Sequence, residues 1–441
     1  NILITILFHI GLGIVAFIYR PIMILYLLGM ISYFLIRIAK GKNKFLEVLI
    51  AAAYVTGIEV FLRMTKAYFL YETGKYLVIL FIVVGLFYDG FKMKAYLYLL
   101  FILALIPGVL ITYDTISYDE NFRMSILFNL SGPLTLFFVA LYTYGKKITY
   151  KDFLKILNFL VFPLIAMTVY IFLYNPDLRD IITNTAASSA ASGGYGPNQV
   201  STVLGLGVFV LFARLFIPYH KKLIQFLMMF ILAAMTYRGI LTFSRGGVLV
   251  AGIMMVVFLI SFFLFTNLKS KVNSVFKIVG VFGVLFFIWT MSLIQSGGLI
   301  ENRYTNKDAL GREKDDFTSG REEIINTELT AFFEHPFLGV GVGSMKSIRL
   351  EETGIAAATH NEVSRMLSEH GLFGIFALLI LLIVPIANNP LGLKNIYFYP
   401  FLLFWLLTIS HSAMRIAAPA FIYGLGLITI TREKKNTLHR K

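Results

Sequence analysis

Thr242 to Thr266 reads TFSRGGVLVAGIMMVVFLISFFLFT, an arginine and a glycine pair followed by a long apolar run. A helix of about 20 apolar residues crosses the hydrocarbon core of a bilayer. Within lipid, such a run must satisfy its backbone groups internally, which a helix does. Arg245 then marks one end of the span, over 246–266. A snorkelling interfacial arginine would explain it. So would a functional group at the edge of the apolar zone.

Similar runs recur along all 441 residues, of which 58% are hydrophobic and 14% charged. A soluble domain carries about 25% charged residues. The remaining runs predict spans at 2–18, 22–38, 45–62, 75–88, 94–113, 125–143, 153–173, 200–218, 222–242, 277–295, 372–388, 396–410 and 414–430. These make 14 candidates in all, or about 12 if the last two form one broken element. The fold class is therefore all-α, a polytopic transmembrane helical bundle. Residues 1–190 form an N-terminal bundle. Residues 191–441 form a second membrane part, which includes a large polar insert at 296–371 with short helices of its own.

The net charge of +15 sits in clusters between apolar runs, which argues against nucleic acid as its cause. Lys40–Lys44, Lys92, Lys94, Lys146–Lys155, Lys221, Lys222, Lys269–Lys271 and the tail from Arg432 fall on one side. The positive-inside rule makes that side cytoplasmic and the insert extracytoplasmic. Cysteine is absent, and the chain begins at Asn1 rather than Met, which leads us to expect a trimmed N-terminus.

Two stretches of the insert have the pattern of helix starts. Ser319 and Glu322 match a capping box, which puts Arg321 in a first helical turn. Ile325, Leu329, Phe332 and Phe333 then predict one buried face, and Pro336 helps end the helix. A helix N-terminus favours an anion, so a guanidinium there suits an anionic ligand. Pairing with Glu322 or Glu323 is the alternative. Thr359 and Glu362 repeat the capping pattern, which puts His360 and Asn361 in another first turn. A helix N-terminus disfavours imidazolium, leaving a neutral imidazole able to accept a proton. A histidine that merely hydrogen-bonds at a helix start is the alternative. Glu369 falls on the opposite side of that helix from His360.

His411 and Arg415, in HSAMR, lie near the same level, where ionisable residues are substrate-binding candidates. Asn198 and Gln199 could bond sugar hydroxyls or form a plain turn. Arg63, one turn after Glu59, reads as a structural ion pair. No metal-ligand spacing and no nucleotide-binding fingerprint appears, so neither a metal nor a cofactor is expected.

Taken in order, SRGG, SGR…HPFLGVGVGS and HNEVSRMLSEHGLFG resemble the O-antigen ligase/polymerase superfamily of bacterial membrane glycan transferases, over about 195–390. Residues 1–190 resemble it only in being hydrophobic spans. The resemblance implies a metal-independent glycosyltransferase of the inner membrane, active on the extracytoplasmic face. Its donor would be a glycan on undecaprenyl diphosphate, and its acceptor a hydroxyl on lipid-A core or another glycan. Arg245 and Arg321 would hold the diphosphate, His360 would activate the acceptor, and Asn361 would help orient it. Ligase, polymerase and protein-glycan transferase share this chemistry. A lipid-linked sugar transporter is the reading from another class, but it predicts internal repeats, and none is visible.

Overall fold

In a computed structural model, helix α3 (Lys44–Met64) is buried along nearly its whole length. It is flanked by α2 (Ile22–Lys40), α4 (Thr73–Asp89) and α7 (Tyr150–Tyr174), α1 (Ile2–Ile18) packs on α7, and α5 (Leu97–Thr115) and α6 (Phe122–Thr143) complete the first half. A membrane helix that is apolar all round belongs inside a bundle, and α3 occupies that place. The structure describes residues 2–115, 121–175, 184–216, 222–266, 268–314, 320–354 and 359–431. Ser319, Lys221 and the tail 432–441 lie outside the described residues, so the proposed Ser319 cap does too.

The second half begins with α8 (Pro197–Leu215), α9 (Lys222–Leu241), α10 (Arg245–Phe265) and α11 (Leu268–Gln295). The insert carries α12 (Leu299–Tyr304), α13 (Arg321–Glu334) and α14 (Met345–Thr353). The chain then enters α15 (Glu362–Asn388), α16 (Phe398–Ser412) and α17 (Ala418–Gly426). Among the described residues, ten helices are long and apolar enough to cross a membrane, and α1 and α16 are shorter apolar helices. The chain is thus a multi-pass membrane protein with an all-α architecture. The one small sheet among the described residues pairs β1 (Lys147–Thr149) with β2 (Thr429–Thr431) in parallel, which seats the end of the described chain beside the start of α7.

Three expectations need correction. The span at 414–430 is not a full helix. Residues 413–417 are irregular, and α17 has only nine residues, about 14 Å at 1.5 Å per residue. Pro419 is tolerated there only because it sits in the first turn. The helix expected to start at His360 and the span expected at 372–388 form one helix, α15, which starts two residues later at Glu362 and kinks at Gly371, whose φ is 58°. Finally, α13 buries Ile324, Glu328 and Ala331, while Phe333 is 75% exposed. The face is turned one residue from the apolar pattern because Glu328 anchors it. Glu328 pairs with Arg349 at 3.0 Å and accepts from the Ser364 hydroxyl.

Candidate functional site

The SRGG stretch is shaped by close approaches on two sides. A Cβ on Gly247 would collide with the Ser201 backbone, and one on Gly205 with the Gly247 carbonyl. Small residues thus let α8 and α10 pack backbone to backbone, as membrane helices do at small-residue interfaces. This contact sets Ser244, just before α10, against α8. The Ser244 hydroxyl donates to Asn198 Oδ1 at 2.8 Å, and Ser201 donates to the Ser244 carbonyl at 3.0 Å. A Cβ on Gly246 would meet the imidazole of His411, so this glycine admits His411 to the start of α10.

Arg245, Arg303, Arg321, His411, Asn198, Ser244 and Gly246 line one small polar pocket. Arg303 comes from α12. Its Nε donates to the Phe243 carbonyl at 3.0 Å, and Arg245 Nη1 reaches the Arg303 carbonyl at 3.4 Å. Arg321 is the first residue of α13, after Gly320 in the left-handed region at φ 79°. Burial lowers the pKa of Arg303, and the charges of Arg245 and Arg321 lower it further. Burial followed by Arg245 does the same for Arg321. No carboxylate is among the described residues lining the pocket. Arg245, Arg303 and Arg321 thus bring three guanidiniums to one confined space. His411 presents a specific donor–acceptor polarity. Its Nδ1 donates to the Leu407 carbonyl at 2.7 Å, which leaves the buried Nε2 as an acceptor.

Arg415 does not join this pocket. It donates to the Thr359 carbonyl at 2.7 Å and lies 4.2 Å from the Phe128 ring centroid. It lines a second groove with Ser125, Asn129, Lys346, Arg349 and Glu369. Gly343, at φ 84°, brings the glycine loop against Ser125 and Asn129 in that groove. Glu369 is held there by Arg365 at 2.5 Å and by the Gly343 N–H at 2.9 Å.

His360 feels both groups. Burial lowers its pKa to about 4, helped by Arg321, then Arg415, Arg349 and His411. It is therefore a neutral imidazole at neutral pH, near enough to Arg321 and Arg415 to feel both charges, while its neighbour Thr359 rather than His360 is among the residues lining the second groove. The cause differs from the one expected. Asn361, not Thr359, caps α15, accepting from Val363 N at 2.9 Å and from Ser364 N at 3.4 Å. His360 and Asn361 thus precede the first turn, and Glu362 pairs with buried Arg365 instead of closing a capping box. Thr359 instead directs its hydroxyl to the Asn361 carbonyl at 3.2 Å. Asn361 keeps only its NH₂ group for a ligand.

Sequence reasoning missed Arg303. It lies in ENRYTNK, on a six-residue helix without a motif or a periodic pattern. Only the fold back onto Phe243 reveals it. The Glu59–Arg63 pair, at 2.7 Å, is the structural contact its spacing predicts. Asn198 joins the pocket, while Gln199 packs against Gly196.

None of the curated proteins matches the chain. Residues 229–379, which carry Arg245, Arg303, Arg321, His360 and Asn361, match the family model described as O-Antigen ligase, and this match supports the O-antigen ligase superfamily for the chain.

Proposed function

We propose that the protein transfers a glycan from undecaprenyl diphosphate to an acceptor hydroxyl, on the extracytoplasmic face of the bacterial inner membrane. The observation that carries this reading is the pocket of Arg245, Arg303 and Arg321. Its charge suits a diphosphate, and its three arginines lie within 229–379, the residues that the family model matches. A lipid-linked donor is supported by the cleft below. Val248, Gly252 and Met255 continue the Arg245 face of α10, and with Gly239, Met235 and Trp289 they line an apolar cleft. The polyprenyl chain would lie there, with its headgroup against the arginines.

In the reaction, the acceptor oxygen bonds to the anomeric carbon and the bond from that carbon to the phosphate oxygen breaks. The diphosphate leaves with the electron pair, held by the guanidiniums. His360 takes the acceptor proton. A ring poised near pKa 4 is a weak base in the empty site. The bound diphosphate offsets the arginine charges and raises its basicity, so the base gains strength when the donor is loaded. Electrostatic stabilisation of the leaving group carries much of the rate. The second groove, on the Arg415 side of His360, would hold the acceptor.

The test uses purified protein in lipid discs with a glycan on undecaprenyl diphosphate and two acceptors offered separately, lipid-A core and a lipid-linked repeat. Transfer to the first makes the protein a ligase. Transfer to the second makes it a polymerase of the same superfamily. Consumption of donor with neither acceptor would overturn the reading.

A further inference from the structure

Four buried charged residues of the N-terminal half have no part in the chemistry above. Glu59 and Arg63 lie on α3, Glu72 precedes α4, and Lys75 lies in its first turn; each is at most 6% exposed. Arg63 bridges Glu59 at 2.7 Å and Glu72 at 3.1 Å, and Lys75 binds Glu72 at 2.6 Å. Gly74 lies against the Glu59 side chain, where a Cβ would collide with it. Buried ions at this level are costly, and apolar residues of similar volume often hold a bundle as well or better. Stability alone is thus a poor reason for them.

Their remaining bonds point to another role. Lys75 Nζ donates to the Met414 carbonyl at 3.2 Å, and Glu59 Oε2 accepts the Ala417 N–H at 2.7 Å. Both partners belong to the irregular stretch 413–417, whose backbone groups cannot be left unsatisfied inside an apolar bundle. The same stretch grips the site from its other side. The Ala413 N–H donates to the His360 carbonyl at 3.0 Å, and Arg415 donates to the Thr359 carbonyl at 2.7 Å. Ala413 holds φ at 48°, a conformation an alanine keeps only when its surroundings impose it.

We infer that Glu59 and Lys75 are positioning residues, fixing the 413–417 backbone so that it sets the place of Thr359 and His360. They lie more than 280 residues from His360 in sequence and outside the matched 229–379. The catalytic half of this inference rests on the transfer reading above, whereas the coupling itself does not.

The chain has no cysteine, so Ala413→Cys and Ala213→Cys each supply a single buried reporter thiol. Lys75→Met combined with Glu72→Gln removes the lysine without leaving an unmatched charge. In that background, reaction of the Ala413→Cys thiol with a water-soluble maleimide should speed up at least tenfold, while the Ala213→Cys thiol stays protected. Lys75→Arg, which keeps a donor, should leave the thiol at position 413 protected. In the transfer assay, the neutral pair without reporters should lower kcat at least tenfold and leave KM for the donor within twofold. Protection of the position-413 thiol in the neutral pair, or equal opening of the one at 213, would overturn the coupling. A normal kcat beside an opened position 413 would overturn the positioning of His360. If the wild-type protein transfers no glycan, the function reading fails and the thiol result still decides the coupling.

Discussion

Gly246 and His411 are in contact across α10 and α16, so close that a Cβ on Gly246 would fall 2.5 Å from the imidazole Nε2. The ring is fixed from its other side by its bond to the Leu407 carbonyl, and cannot retreat along that line. Gly246→Ala should therefore displace His411 from the arginine pocket. We expect transfer to fall at least tenfold and stability to drop by about 1–3 kcal/mol, the usual cost of overpacking. Gly280→Ala, which meets open space on α11, is the control. Wild-type activity in Gly246→Ala would show that His411 is not held where the donor headgroup binds.

Arg303 should matter as much as the arginines that motifs single out. A hydrogen bond to a charged group contributes about 1.5–3 kcal/mol, roughly 10- to 100-fold in Kd. Arg303→Ala should weaken binding of undecaprenyl diphosphate by that factor. Arg303→Lys should recover little of it, because an ammonium lacks the planar fork. The same comparison at Arg321 should give the same order, and a Lys variant with full affinity would mean that charge alone suffices.

How much of this was legible beforehand depended on the physics each feature obeys. Spans such as α10 and α7 follow from apolar length alone, because lipid leaves a backbone no alternative. Arg245 was visible as a charge at the end of such a span. The last span failed because side chains from α3 and α4 satisfy the 413–417 backbone, a long-range supply no local window contains. The start of α15 lies two residues beyond the Thr359 cap because Thr359 and Asn361 both suit a cap, and local spacing does not choose between them. Asn361 won, with its carboxamide accepting from two N–H groups. Arg303 had no local signature and was found only through its tertiary contact with Phe243.

The pH dependence should differ between the free and the loaded protein. His360 acts only when unprotonated, so activity is lost as pH falls through its pKa. In the free protein burial and the neighbouring cations hold that pKa at about 4, below the ordinary 6.5. The acid limb of kcat/KM for the donor should therefore lie near pH 4. Once the diphosphate offsets the arginines, the pKa rises, and the limb of kcat should lie at higher pH, between these two values. Coincident limbs in the two profiles would mean that the donor does not change the basicity of the ring.

Removing His360 gives the most direct test of its role. As general base it should contribute about 10²–10⁴-fold to transfer. Donor binding should survive in His360→Ala, since the guanidiniums of the polar pocket hold the diphosphate. The local fold should survive as well. Asn361 caps α15 through its own side chain, and the bond from Ala413 reaches the His360 main-chain carbonyl, which any residue supplies. The variant should thus bind undecaprenyl diphosphate with near wild-type affinity and transfer no glycan from a loaded donor. His360→Gln separates two ways of acting, because it keeps a hydrogen-bonding group but cannot take up a proton. If the ring only oriented the acceptor, His360→Gln would retain substantial kcat. If it removes the proton, His360→Gln should fall as far as His360→Ala and lose the acid limb of the pH profile. Full transfer by His360→Ala at saturating acceptor would remove the imidazole from the chemistry, leaving the three arginines as the catalytic device.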